Sequence, residues 1–205
     1  MSKVLKEKFF KKGIETKKII VAIHGWQGDY NSMVPISNLI KIPDVAWHIP
    51  QAPYKVKDGC GYSWSYQHSN GDWEVKEPKK ILNQYFSELF SKYESKNIYV
   101  IGFSQGAMIC FDFVLFLKNT LGGVFPICGF LRNPNSNIPR FHPSQNKTPI
   151  LIGHGKNDDV VPPKSSQKAY DLLENQGANV NLLFYNGQHK ISMDYIKNMI
   201  EYINE

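Results

Sequence analysis

Apolar residues fall along this chain in two alternating rhythms. Short continuous runs at residues 19–23, 45–49, 98–101, 123–127 and 180–185, with another beginning at Ile150, read as strands buried on both faces. A further strand is expected near residues 4–10. Between the runs the spacing changes to that of helices. Ile81, Leu82, Tyr85, Phe86, Leu89, Phe90 and Tyr93 form one apolar stripe with Lys and Glu opposite it, and residues 32–40, 107–117, 165–175 and 191–203 read as further helices. This alternation of strands and helices predicts an α/β protein with a mostly parallel sheet and helices on both faces. Two long irregular segments, 51–77 and 131–147, interrupt the alternation, and unstructured stretches of that length in a compact domain are frequently functional.

The chemistry enters at the run that begins with Ile98. Ile98-Tyr-Val-Ile-Gly102-Phe-Ser104-Gln-Gly106-Ala-Met-Ile-Cys110 carries an apolar strand into a helix-forming stretch through a serine set between two glycines. A strand that turns abruptly into a helix strains the turn residue and needs small neighbours two before and two after it, which makes Ser104 a candidate nucleophile. A serine hydroxyl requires a base and a group to orient that base. Downstream, the strand at 151–153 ends in His154-Gly155-Lys-Asn-Asp158-Asp159, and the strand at 180–185 ends in Asn186-Gly187-Gln188-His189. Nucleophile, acid and base then occur in the order Ser, Asp, His, and all three lie just beyond strands whose C-terminal ends converge on one crevice.

Together with His24-Gly25-Trp26 after the run at 19–23, the segments Gly102-Phe-Ser-Gln-Gly106-Ala107, His154-Gly155-x-x-Asp158-x-x-Val161-Pro162 and Gly187-x-His189 resemble the phospholipase/carboxylesterase family of α/β-hydrolases, which includes the acyl-protein thioesterases. The resemblance runs from about residue 19 to about 203. It implies catalytic Ser104, Asp158 and His189, an oxyanion hole made by the backbone N–H groups of Trp26 and Gln105, and an α/β-hydrolase fold without a large lid domain. Gln105 suits that role independently, because the first residue of a helix presents a free N–H at the positive end of the dipole. One departure stands out. The family reads His-Gly-x-Gly-Asp after the first strand, whereas here Gln27 is inserted before Gly28 and Asp29, which puts the Trp26 donor in question.

Other residues compete for these roles. Asp159 adjoins Asp158, and only one carboxylate can face His189; the family motif selects Asp158. His24, His48, His68, His142 and His154 read as structural, whereas His189 sits on a loop held between a strand and an amphipathic helix pattern. In the segment 51–77, Tyr62, Trp64 and Tyr66 either wall the acyl or alcohol side of a substrate pocket or pack the loop onto the body. Both readings remain open, although Pro50-Gln-Ala-Pro53 and Ser63-Trp64 are similar to the family's substrate-side loop.

Composition narrows the rest. The 205 residues, 42% hydrophobic and without a Ser/Pro-rich linker, predict one domain. The longest apolar stretch, near 109–117, is interrupted by Asp112 and falls far short of the ~20 residues of a membrane span. Residues 19–23 are too short for a signal-peptide core. A soluble, cytoplasmic protein without an integral membrane segment is expected. Cys60, Cys110 and Cys128 lack metal-ligand spacing, so no zinc site, metal or cofactor is expected. The net charge of +6 is almost wholly lysine, with Arg132 and Arg140 as the chain's two arginines. Nucleic-acid recognition leans on arginine and is not expected; the N-terminal cluster Lys3, Lys6, Lys8, Lys11, Lys12, Lys17 and Lys18 reads as a solvated basic edge.

The expectation is a serine hydrolase that cleaves carboxylic esters or thioesters of small to medium acyl chains through an acyl-enzyme, acting on a small-molecule substrate. A lactone hydrolase, a peptidase or a lipase could share the same residues, and a non-catalytic binding protein could share the fold. A mechanism that needs neutral imidazole expects a rate that rises as pH passes through the neutral range.

Overall fold

The structure, a computed structural model, describes residues 5–57, 59–134 and 138–204. Lys3, Val4 at the start of the expected first strand, Asp58, and residues 135–137 of the second irregular segment lie outside the described residues.

Seven strands form the main sheet: β1 (Glu7–Lys12), β2 (Lys18–Ile23), β3 (Val45–Pro50), then, after a small hairpin of β4 (Tyr54–Lys55) and β5 (Tyr62–Ser63), β6 (Ile98–Phe103), β7 (Gly123–Ile127), β8 (Ile150–Gly155) and β9 (Val180–Tyr185). Their order across the sheet is β1-β3-β2-β6-β7-β8-β9. Only the edge strand β1 runs antiparallel, pairing Glu7 with Pro50 and Lys12 with Val45. The remaining neighbours are parallel, with Ile19 opposite Ile98, Tyr99 opposite Gly123, and Ile150 opposite Val180.

Both faces of the sheet are covered, which is why the central strands read as unbroken apolar runs instead of alternating ones. Side chains of β2 still alternate between two cores. Ile19, Val21 and Ile23 join α2 (Lys76–Lys92), α3 (Gln105–Asp112) and α4 (Lys164–Glu174) in one core, with Phe86, Leu89, Ile109 and Leu173. Ile20 and Ala22 point the other way, onto Tyr195, Ile196 and Met199 of α5 (Met193–Asn204), with Met33 just before α1 (Val34–Leu39) in the same layer. Asp29 closes the turn ahead of Met33: its carboxylate accepts from the Asn31 and Ser32 amides while the Ser32 hydroxyl accepts from the Asp29 amide.

The helix expected over 107–117 stops early. α3 ends at Asp112, Phe113 leaves helical geometry (φ −137°), and residues 114–116 form a single 3-10 turn. Phe111, Phe113, Val114 and Leu115 are all buried; a continued helix would have turned part of that set to solvent. The segment 51–77 is less irregular than its composition suggests, since it contains the β4–β5 hairpin and yields to α2 at Lys76.

Candidate active site

Ser104 sits at φ 54°, ψ −113°, the strained turn expected between β6 and α3. Its amide donates to the Ile127 carbonyl of β7 (2.8 Å) and its carbonyl accepts from the Met108 amide (3.1 Å), so the backbone is held on both sides. The flanking glycines are required by contact. A Cβ on Gly102 would lie 2.6 Å from Cys110 Sγ and overlap the Gly106 carbonyl, and one on Gly106 would run into the Ile23 carbonyl oxygen. The start of α3 thus rests directly against the end of β2.

The loops after β8 and β9 are joined to each other. Lys156 and Asn157 donate backbone hydrogen bonds to the Tyr185 and Gly187 carbonyls (both 2.9 Å), and the Tyr185 hydroxyl donates to the Lys190 carbonyl (2.6 Å). Across this junction His189 Nδ1 lies 2.7 Å from Asp158 Oδ2. Asp158 is buried; its Oδ1 accepts from the Val160 and Val161 amides (3.0 and 2.9 Å). Burial alone would raise its carboxyl, but hydrogen bonds from His189, Val161 and Val160 outweigh it and hold the group below the ordinary carboxylate value. Asp159 is exposed. Of the two neighbouring carboxylates, Asp158 is the one that faces the imidazole.

Two neighbours of Ser104 reach this pair. Phe103, the preceding residue, packs its ring 4.9 Å from that of His189. Cys128, which follows the Ile127 that accepts from Ser104, places its Sγ within 4.8 Å of the Asp158 and His189 ligand atoms. The Ser104 hydroxyl makes no hydrogen bond among the described residues. The cluster of Cys128, Asp158 and His189 has the spacing of a metal site, yet its atoms already serve one another. His189 and Asp158 are hydrogen-bonded, Cys128 Sγ lies 3.3 Å from the Tyr185 hydroxyl, and burial pushes the thiol up to about 11, away from the thiolate a metal would need.

On the other side of the elbow, Gly25 comes so close that a Cβ there would be 3.2 Å from Ser104 Cβ. The inserted Gln27 adopts φ 63° and closes a turn in which the Gly28 amide donates to the Gly25 carbonyl (3.1 Å), while the Gln27 amide donates to the Tyr62 carbonyl (3.0 Å). The extra residue is absorbed there, leaving the Trp26 amide without a backbone acceptor among the described residues, as is the Gln105 amide at the first position of α3. Around this loop runs a buried network that the sequence did not disclose. His24 Nε2 accepts from the Ala52 amide (3.0 Å) and its Nδ1–H donates to the Gly25 carbonyl (2.6 Å); burial lowers its pKa and keeps it neutral. The Gln105 side chain accepts from the Trp64 amide (3.0 Å) and donates to Ser63 Oγ (2.9 Å).

Trp64 itself corrects one of the two readings left open for the aromatic loop. It is fully buried, donates from Nε1 to the His24 carbonyl (2.9 Å) and belongs to the core, so it is no pocket wall. Packing wins because the indole N–H finds a buried acceptor there. Tyr62 is half-buried against the same core, and its backbone pairs with Gln27 and Gly28. Tyr66 differs: with Trp26, Tyr54 and Trp73 it lines a cavity of about 590 Å³ that reaches the turn after β2. His154, read as structural, is structural with a consequence. Its Nδ1 lies 2.6 Å from Ser166 Oγ, its Nε2–H donates to the Val161 carbonyl (2.8 Å), and the same nitrogen stands 3.1 Å from Asp158 Oδ2.

A strained serine at the carboxyl edge of a mostly parallel sheet, with an Asp–His pair on the loops after β8 and β9 of the same sheet, fits an α/β-hydrolase. The family model for Phospholipase/Carboxylesterase matches residues 7–205. A probable carboxylesterase of Oryza sativa subsp. japonica is 28% identical, covering 91% of this chain and 77% of its own length. Acyl-protein thioesterase 1 of Kluyveromyces lactis is 26% identical over 70% of this chain, which spans just 66% of that relative. Among solved structures, esterase PE8 superposes with a TM-score of 0.85 at 22% identity over 98% of both chains, and SOBER1 of Arabidopsis thaliana at 0.77 and 25% over 91% of this chain and 97% of that one. The chain belongs to the phospholipase/carboxylesterase family of hydrolases. No helix among its described residues is long and apolar enough to cross a membrane.

Proposed function

We propose that the protein hydrolyses carboxylic esters or thioesters of small to medium acyl chains by way of a Ser104 acyl-enzyme. The observation that carries this reading is the 2.7 Å hydrogen bond between Asp158 and His189 next to a serine at φ 54°. Ser104 Oγ attacks the carbonyl carbon while His189 Nε2 takes its proton; Asp158, accepting from Nδ1–H, keeps the lone pair on Nε2. The developing oxyanion is received by the amides of Gln105 and Trp26. The proton passes from His189 to the departing alcohol or thiol, and the same imidazole then activates water against the acyl-enzyme. The cavity bordered by Trp26, Tyr54, Tyr66 and Trp73 takes the apolar part of the substrate. A cytoplasmic setting belongs to the same reading and is supported by three cysteines that are all free.

Labelling with a fluorophosphonate, followed by a panel of esters and matched thioesters of increasing chain length, tests the proposal. Labelling and turnover should both disappear in Ser104→Ala with the fold retained, a loss of ~10³ or more in kcat. A folded Ser104→Ala variant that keeps its activity overturns it.

A further inference from the structure

The chain's two arginines have no part in the reaction described above. Both line one cavity of about 320 Å³ between the start of α2 and the end of α3, which shares no lining residue with the aromatic cavity or the catalytic row. Arg140 is 7% exposed. Its Nη1 donates to the Asn133 carbonyl (2.9 Å), while Nε and Nη2 are buried with no partner among the described residues. Arg132 lies alongside, with Nε 3.3 Å from Asp112 Oδ2, Nη2 3.4 Å from Met108 Sδ, and Nη1 buried and unpartnered among the described residues.

Buried guanidinium N–H groups are costly to leave unsatisfied, and proteins almost always supply them with an acceptor. Here the cavity's own carboxylates do not suffice. Asp112 is engaged by Arg132, and Glu74 is turned to His68 (3.2 Å) and to the amides of Lys76 and Glu77 (2.7 and 3.0 Å) at the start of α2. Lys79 adds a third cation to the lining. Apart from Asn133 the rest of the wall is apolar, with Leu82, Ile109, Phe113, Phe116 and Ile138. A planar fork of unpaired donors and an apolar wall in one cavity select a ligand with two matching parts.

We infer that this cavity is a second binding site, which holds a small amphiphile with an oxyanion head, carboxylate or phosphate, on a short apolar tail. Its volume stands at the lower end of the range for small-molecule pockets. The head takes the free nitrogens of Arg140 and Arg132, and the tail lies along Leu82, Ile109 and Phe116.

With two arginines in the chain, a side-chain Nε–H spectrum of the full protein labelled with ¹⁵N-arginine has two signals, assigned through Arg132→Lys and Arg140→Lys. The protein is titrated with octanoate, octyl phosphate, inorganic phosphate and, as a neutral control, octanol. The expected result is a saturable shift of both signals with octanoate or octyl phosphate at millimolar concentration or below, whichever head the site prefers, and none with octanol. Arg140→Lys should weaken that binding by about tenfold or more, since a point charge cannot replace the fork. Binding should persist in Ser104→Ala, which separates this site from the catalytic one and makes the result independent of the proposed reaction. Signals that stay still with every oxyanion, that move equally with octanol, or that titrate unchanged in a folded Arg140→Lys overturn the inference; if that variant does not fold, the wild-type titration decides.

Discussion

Replacing Asp158 by asparagine keeps the size of the side chain and turns one acceptor into a donor, so its effect can be worked out atom by atom. Asp158 accepts three hydrogen bonds, two on Oδ1 from the Val160 and Val161 amides and one on Oδ2 from His189 Nδ1, and His154 Nε2 stands 3.1 Å from the same Oδ2. The backbone amides can only donate, so the oxygen of the introduced carboxamide must stay with them and its NH2 must turn toward the two imidazoles. His189 then has to accept at Nδ1, which moves its proton to Nε2 and removes the lone pair that should take the Ser104 proton. Where this tautomer change has been measured in a serine hydrolase, kcat falls by about 10⁴, or about 5.4 kcal/mol of barrier. The same NH2 meets the His154 Nε2–H, a donor facing a donor inside the protein, and one unsatisfied buried group costs about 1–3 kcal/mol of stability. Asp158→Asn should therefore be folded, weaker in urea by that amount, and nearly inactive, while Asp159→Asn on the exposed neighbour changes neither quantity. Steady-state kcat on a short-chain ester and a urea melt measure both. A folded Asp158→Asn variant within tenfold of wild-type kcat would refute the assigned roles of Asp158 and His189.

Acid should destabilise the protein earlier than its carboxylates alone would dictate. Burial lowers the pKa of His24 and His154 below the ordinary histidine value of 6.5, so between that value and the folded ones the unfolded chain binds more protons; their contribution is complete above about pH 6.5 and is lost as pH falls, by up to about 1.4 kcal/mol per pH unit for each. Urea midpoints that coincide at about pH 7.5 and about pH 5.5 would contradict this. Gly106→Ala drives a Cβ into the Ile23 carbonyl oxygen and should cost more than about 3 kcal/mol or prevent folding, whereas Gly177→Ala, with nothing within 4 Å, should cost only the strain of its positive φ, about 1–2 kcal/mol; comparable midpoints for the two would be the wrong result. Tyr66→Ala and Trp73→Ala should shift the preferred acyl length, while Trp64→Phe should lower the melting temperature and leave the order of substrate preference unchanged; the ester panel and a thermal melt separate the two kinds of effect.

The strand and helix sequence was legible because the interior parallel strands of this sheet are buried on both faces. Six-residue runs such as β3 and β8 then have no polar alternation to confuse with a helix. The elbow was legible for a related reason. The glycines at 102 and 106 are demanded by backbone contacts with α3 and β2, and such contacts leave a spacing that survives in one dimension. The early end of α3 was not legible, since Phe113, Val114 and Leu115 look like a continuing apolar helix until their common burial shows that the chain had to bend.

Partnership is the kind of information a single sequence holds least. Trp64 and Tyr66 stand two apart in one aromatic-rich loop, and nothing local tells which of them enters the core; the decision belongs to the His24 carbonyl, 40 positions away, which accepts the Trp64 indole. His24, Trp64 and Gln105 therefore act as one buried support beneath both proposed oxyanion donors: His24 ties the Gly25 carbonyl, and Trp64 binds the His24 carbonyl and the Gln105 side chain. His154 does the same for Asp158, standing 3.1 Å from the Oδ2 that His189 also engages. Two histidines that looked like spectators are the residues through which the core grips the proposed site. The aromatic cavity is built differently, from Tyr54, Tyr66 and Trp73 on the segment before α2 together with Trp26 on the turn after β2.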